Sequence, residues 1–234
     1  MKSLASMKNT LLFFCLLAVN SANADFVIRP ASATADAALG SPGPGDFSVD
    51  NLIDLTLTPT AYTSGSTDAA TYSANHTVGN FADSSRSNAG ATGFVTFDLG
   101  APETISEILV WNDDIRIGEF NSIASLASFE LYADNNMSPS TSGTQLSTSS
   151  GTTFSVLNVN SMQRFAFTST TTPVQYIHLN ILSNHGSAPR TGFGEVAFVT
   201  VPEPSALLCV GFVCCAGLMR SLLLAKSNFL ACIL

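Results

Sequence analysis

The chain has 234 residues, of which only 11% are charged, and carries a formal net charge of −8. Residues 25–200 hold five arginines, no lysine and sixteen carboxylates, a net −11. With no basic face to displace phosphate counterions, this region is excluded as a nucleic-acid binder.

At the start of the chain, Lys2 and Lys8 precede the apolar run Leu11–Val19, which is followed by Ala22-Asn-Ala24 ahead of Asp25. A basic segment, a short apolar segment and a small-x-small site predict a secretory signal peptide over residues 1–24, cleaved after Ala24. Cysteine usage agrees with this division. Cys15 lies in the first apolar run, Cys209, Cys214, Cys215 and Cys232 lie near the end, and the stretch between has none. That stretch of about 176 residues suits one domain, held by its core rather than by disulfides.

Within it, short apolar alternations recur between turn signals. Val95, Phe97 and Leu99 share one face of a strand that stops at Gly100-Ala-Pro102. Ile108 and Val110, Phe129 and Leu131, and Phe165 and Phe167 follow. Ile177, Leu179 and Ile181 then alternate with Tyr176, His178 and Asn180, and Val196 and Phe198 close the series. Period two in short runs predicts an all-β, antiparallel sandwich or jelly roll. Ser41-Pro-Gly-Pro-Gly45 and the Ser/Thr-rich Ser138–Thr153 read as loops.

Catalytic signatures are missing from the sequence: no Gly-x-Ser-x-Gly elbow, no His-Glu-x-x-His helix and no Gly-rich phosphate loop. Asp113 and Asp114 are adjacent on an extended segment, so their side chains point opposite ways and cannot flank one glycosidic bond. The chain therefore reads as non-catalytic. Recognition of sugars needs apolar faces beside hydrogen-bonding groups. The candidates placed on loops are Tyr62, Tyr72, His76, Arg86, Asn112, Asp113, Arg116, His185 and Arg190. Trp111, the only tryptophan, ends a strand and reads as a packing residue.

The chain ends with Val201-Pro202-Glu203-Pro204-Ser205, an apolar stretch to Met219, and Arg220. The two prolines stop the last strand and make a stiff spacer. The apolar stretch is about 15 residues, roughly 22 Å as a helix. These residues resemble the PEP-CTERM sorting signal, a Pro-Glu-Pro motif before a hydrophobic helix and basic residues. The resemblance implies a tail over residues 201–234 with a membrane-anchoring helix. It also implies recognition of Pro202, Glu203 and Pro204 by an exosortase-type membrane protease.

A second resemblance covers most of residues 45–199. Phe94-Val-Thr-Phe-Asp98-Leu-Gly100 with Ile105-Ser-Glu-Ile-Leu-Val-Trp111, then Phe129-Glu-Leu-Tyr-Ala-Asp134, then Val174–Ile181 with Gly192-Phe-Gly-Glu195-Val-Ala-Phe198, stand in the order seen in discoidin and coagulation-factor C domains. The resemblance implies a galactose-binding-like jelly roll over residues 25–200. It further implies a structural calcium ion held by Asp54 and Glu195, although Leu55 stands where the family has glycine. The resulting expectation is an exported, surface- or matrix-associated protein that binds carbohydrate or exopolysaccharide, with Tyr62, His76, Arg86, Asn112 and Arg190 as contact candidates. A structural matrix protein without a ligand site and a polysaccharide-acting enzyme are the alternatives.

Overall fold

The computed structural model describes residues 25–37, 39, 49–53, 62–75, 85–86, 91–112, 116–117, 122–159, 161–168, 170, 172–186 and 190–201, with backbone alone for 73–75, 85–86, 116–117 and 122–123. The signal peptide with Ala22 and Ala24, the tail from Pro202 through Glu203, Pro204 and Ser205, and the candidates Asp54, His76 and Asp113 lie outside the described residues. Among the described residues no helix is long and apolar enough to cross a membrane.

Asp25–Val201 forms one compact unit. Its strands are β1 (Phe26–Ile28), β2 (Ser32–Ala35), β3 (Ser85–Arg86), β4 (Gly93–Glu103), β5 (Ile105–Asn112), β6 (Arg116–Ile117) and β7 (Ser122–Ile123). They continue as β8 (Leu126–Asp134), β9 (Thr144–Leu146), β10 (Phe154–Ser155), β11 (Ser161–Ala166), β12 (Val174–Asn184), β13 (Gly192–Phe193) and β14 (Val196–Thr200). Among the described residues, a single 3-10 turn (Val49–Leu52) and a short α-helix, α1 (Ala69–Asn75), lie between β2 and β3. One sheet runs β1-β14-β5-β11 and the other β10-β8-β12-β4-β2, with β9 also on β8. Every pairing in them is antiparallel. This is the jelly-roll sandwich expected from the alternation.

The inner faces meet in an apolar core. Val95, Phe97 and Leu99 from β4, Phe129 and Leu131 from β8, and Ile177, Leu179 and Ile181 from β12 face Ile108, Val110, Val196 and Phe198. Phe129 and Phe154 stack at 5.0 Å, with Phe165 edge-on to both. Burying each such side chain is worth about 1.5–3 kcal/mol, which suits a domain with no cross-links.

A second apolar layer, which the alternation does not predict, covers the outer face of the first sheet. Val27, Leu109, Trp111, Ala197 and Val199 point away from the sandwich and are buried beneath Ala69 and Tyr72 of α1. The helix starts where Asp68 Oδ1 accepts the backbone N–H groups of Ala70 and Thr71, both at 3.0 Å. Spacing of three then sets Ala69 and Tyr72 on one face.

The Asp98-Leu-Gly100 segment also has a physical role. Asp98 Oδ1 accepts the Gly100 N–H at 2.8 Å, and Gly100 takes φ of 83°. Here β4 bulges, since Val174 pairs with Glu103 while Tyr176 pairs with Asp98. Only glycine adopts this conformation without strain, and a Cβ there would lie 3.3 Å from Ala31 Cβ. Gly100→Ala is expected to lower unfolding free energy by about 1–2 kcal/mol, measured by urea unfolding. Wild-type stability in that variant would refute this account of the bulge.

Candidate functional site

Three places gather polar side chains on the sandwich. The first is the end of the sandwich where β5, β10 and β12 finish. Asn112 was expected on a loop, but it is the last residue of β5 and wholly buried. Its Nδ2 donates to the carbonyls of Leu126 and Leu157, both at 2.9 Å. That double bond ties the segment after β10 to the start of β8, so Asn112 holds loops in place rather than facing a ligand. Ser125 Oγ donates to Asn158 Oδ1 at 2.6 Å. Exposed His185 bonds twice: its backbone N–H reaches Ser125 O at 2.9 Å, and its ring Nε2 donates to Val156 O at 2.7 Å. Asn184 Nδ2 donates to the Arg190 carbonyl at 2.6 Å, closing the loop that carries His185. The half-buried Arg190 and Asn158 thus share one rim with the exposed His185, Leu157 and Val159. The backbone of Arg86 pairs with Gly192 beside the same loop.

The second place is the outer layer under α1. Glu195 is buried, and its Oε1 accepts from Tyr72 Oη at 3.4 Å. Its backbone carbonyl accepts the Trp111 N–H at 2.9 Å. Trp111 is wholly buried and edge-on to Tyr72 at 5.7 Å, in the packing role expected of it. Tyr72, expected on a loop, is instead a buried helix residue. Tyr62 is also edge-on to Tyr72, at 5.8 Å. Its hydroxyl accepts the Arg29 N–H at 2.8 Å and donates to Val27 O at 3.2 Å. The Arg29 guanidinium lies 5.5 Å from the Tyr62 ring centre and donates through Nη2 to the carbonyl of Ile53.

Of the two residues expected to hold calcium, Glu195 is described and Asp54 is not. Among the described residues, no three His, Cys, Asp or Glu side chains gather as a metal site would need. A buried carboxylate is a suitable calcium donor.

On the outer face of the other sheet, Thr96 Oγ1 bonds His178 Nδ1 at 2.9 Å, and His178 Nε2 bonds Asp134 Oδ1 at 3.2 Å. The order hydroxyl, imidazole, carboxylate resembles a hydrolytic triad. Yet His178 is wholly buried and Thr96 is 3% exposed, so no substrate carbonyl can reach the hydroxyl. Around them, Tyr132 Oη donates to Glu130 Oε2 at 2.9 Å, Asn180 Nδ2 reaches the same oxygen at 3.2 Å, and Gln145 Nε2 donates to Tyr132 Oη at 3.1 Å. Except for Tyr132 to Glu130, which lies within β8, these bonds link neighbouring strands. Their role is cohesion.

Burial is the main reason the Tyr72 hydroxyl titrates well above its ordinary 10.0, and the adjacent Glu195 carboxylate adds to it while Arg29 opposes. The folded domain keeps a proton that the unfolded chain gives up. Its contribution is therefore complete below the ordinary tyrosine value and declines as pH rises beyond it. Chemical unfolding from pH 8 to 11 should show stability falling at the alkaline end. Tyr72→Phe should flatten that fall and cost about 1–3 kcal/mol at neutral pH, as Glu195 loses a donor. An unaltered alkaline limb would contradict this placement.

No family model matches the chain, and no curated protein matches it. Several solved structures are similar to it. A truncated AlyQ with family 32 carbohydrate-binding and alginate lyase domains is 18% identical with a TM-score of 0.49, matching 78% of this chain and 35% of that one. This chain thus spans about a third of that protein. The family 32 carbohydrate-binding module of C. perfringens NanJ, in complex with galactose, is 14% identical with a TM-score of 0.47, covering 75% and 98%. The AlyQ module in complex with 4,5-unsaturated mannuronic acid is 19% identical with a TM-score of 0.44, covering 74% and 96%. The antiparallel sandwich is assigned on this chain's own strand registers.

Proposed function

We propose that this chain is an exported, non-catalytic surface or matrix protein whose sandwich binds extracellular polysaccharide. In this reading the signal peptide ending at Ala24 directs export. The tail from Val201 to Ser205 is the recognition element for an exosortase-type protease, and the following helix anchors the chain in a membrane. The observation that carries the binding role is the rim built from His185, Arg190, Asn158, Leu157 and Val159. A bond between loops, from Ser125 to Asn158, and one across the loop after β12, from Asn184 to the Arg190 carbonyl, hold that rim on a rigid scaffold. Such rims present hydrogen-bond donors for hydroxyls beside apolar surface for C–H groups. The arginine and the neighbouring amides suit uronic acids and other acidic sugars, which carry carboxylates that a guanidinium pairs with in two-point fashion.

The second reading, a structural matrix component, draws support from Tyr62, Tyr72 and Asn112, all tied into internal bonds. Affinity electrophoresis of residues 25–200 against a panel of neutral and acidic polysaccharides separates the two. Retention is expected on at least one acidic polymer. Arg190→Ala should weaken it about 10- to 100-fold without changing the melting temperature. Retention equal to wild type would move the site away from this rim, no retention on any polymer would favour the structural role, and shortened glycan products would mean an enzyme. Mass spectrometry of the protein recovered from its source should place the mature N-terminus at Asp25.

A further inference from the structure

We infer that the segment Leu157-Asn158-Val159 is an acetyl-binding subsite of the rim, so that the acidic polysaccharide it takes carries acetyl groups on its sugars. The inference rests on the glycan reading of that rim and narrows it.

The backbone of Leu157 is held more firmly than an exposed loop residue needs. Gln163 of β11 lays its side-chain amide along it as a neighbouring strand would. The Leu157 N–H donates to Gln163 Oε1 at 2.7 Å, and Gln163 Nε2 donates to the Leu157 carbonyl at 2.9 Å. The buried Asn112 adds a third bond, from Nδ2 to the same carbonyl at 2.9 Å. Two tight turns follow, from the Val159 N–H to Leu157 O at 3.0 Å and from the Ser161 N–H to Val159 O at 2.9 Å. Single apolar side chains in water are ordinary. Here Leu157, 66% exposed, and Val159, 41% exposed, stand together on one three-residue segment whose backbone is fixed. Display on a fixed backbone removes the ordering cost that a flexible loop meets on binding.

Between the two lies Asn158. Its Oδ1 accepts from Ser125 Oγ at 2.6 Å, and its Nδ2 is without a partner among the described residues. The segment thus offers apolar surface, an N–H donor and apolar surface in succession. An acetyl group matches it, with a methyl that gains by leaving water and a carbonyl that accepts an N–H. The bare face of a sugar ring calls instead for an aromatic platform. The described rim segments 156–159, 183–186 and 190–193 hold no tyrosine or tryptophan, and their Phe193 is buried. The same segments hold one arginine and no carboxylate, which suits an anionic polymer as the bearer of the acetyl group.

The test is affinity electrophoresis of the full chain in detergent against four polymers. These are alginate, alginate O-acetylated with acetic anhydride, the acetylated sample after mild alkaline deacetylation, and hyaluronan, whose N-acetyl groups survive such alkali. Acetylated alginate should retain the protein about 10-fold more strongly than its parent, and alkali should abolish the difference. Leu157→Ala should bring the ratio between acetylated and parent alginate to about one, with the melting temperature unchanged because the side chain is exposed. Gln163→Ala should lower the same ratio with Leu157 still present, since it removes two of the bonds that fix the segment. Hyaluronan retained above plain alginate would support the subsite with an N-acetyl source, and preference confined to acetylated alginate would support it with an ester. Equal retention of the wild type on acetylated and parent alginate, or a Leu157→Ala variant that keeps the preference, would overturn the subsite and leave the rim standing. Retention on none of the four polymers would remove the rim and the subsite together.

Discussion

The structure depends on burying one sheet on both of its faces. The domain has no cysteine, so nothing covalent supports it. A two-layer sandwich of this size would leave the outer face of β1-β14-β5-β11 wet. Here the segment from Tyr62 through α1 covers it, and Tyr72 and Trp111 make the contact. Each strand of that sheet's centre is then apolar on both sides, as β14 shows with five buried residues in succession. The covering segment adds apolar area to a domain that otherwise has one core, and it shields whatever polar group lies beneath.

Glu195 is that group. Its position follows from the chain path: β14 must start immediately after β13, and the Trp111 N–H and C=O bond the backbone of Glu195 and Gly194. The side chain consequently lies under Tyr72 rather than in water. Burying a carboxylate is costly unless donors and positive charge surround it. The Tyr72 hydroxyl is one such donor. The second sheet handles its outward face differently. There the polar side chains of β4, β8, β9 and β12 bond one another across strands, from Thr96 through His178 to Asp134, from Gln145 to Tyr132 and from Asn180 to Glu130. One sheet hides its outer face beneath hydrocarbon and the other ties it together with hydrogen bonds.

The rim follows from the same scaffold. Loops at the end of a rigid sandwich can hold side chains in fixed positions without strain in the strands. Asn112 shows how: it reaches from the end of β5 to two carbonyls on other segments, and so sets the distance between them. His185 and Asn184 do the same for the loop after β12. Among the described residues, Arg190 joins this framework through its backbone carbonyl.

Period-two alternation by itself determined the inner core. Val95-Phe97-Leu99 and Ile177-Leu179-Ile181 face inward as read, because a strand's side chains must alternate and only one face of each was apolar enough to choose. The second layer was written less plainly, in the unbroken runs Ile108–Trp111 and Val196–Val199, which signal burial on both faces. What covers them could be learned only from the fold, since Tyr72 and Trp111 lie far apart in the chain. The binding candidates divided for the same reason. Tyr62, Tyr72 and Asn112 are polar or aromatic enough to read as ligand contacts, yet tertiary packing committed their hydroxyls and amide to internal partners. Sequence records which groups a residue can offer; only the packed structure decides whether another part of the chain has already taken them.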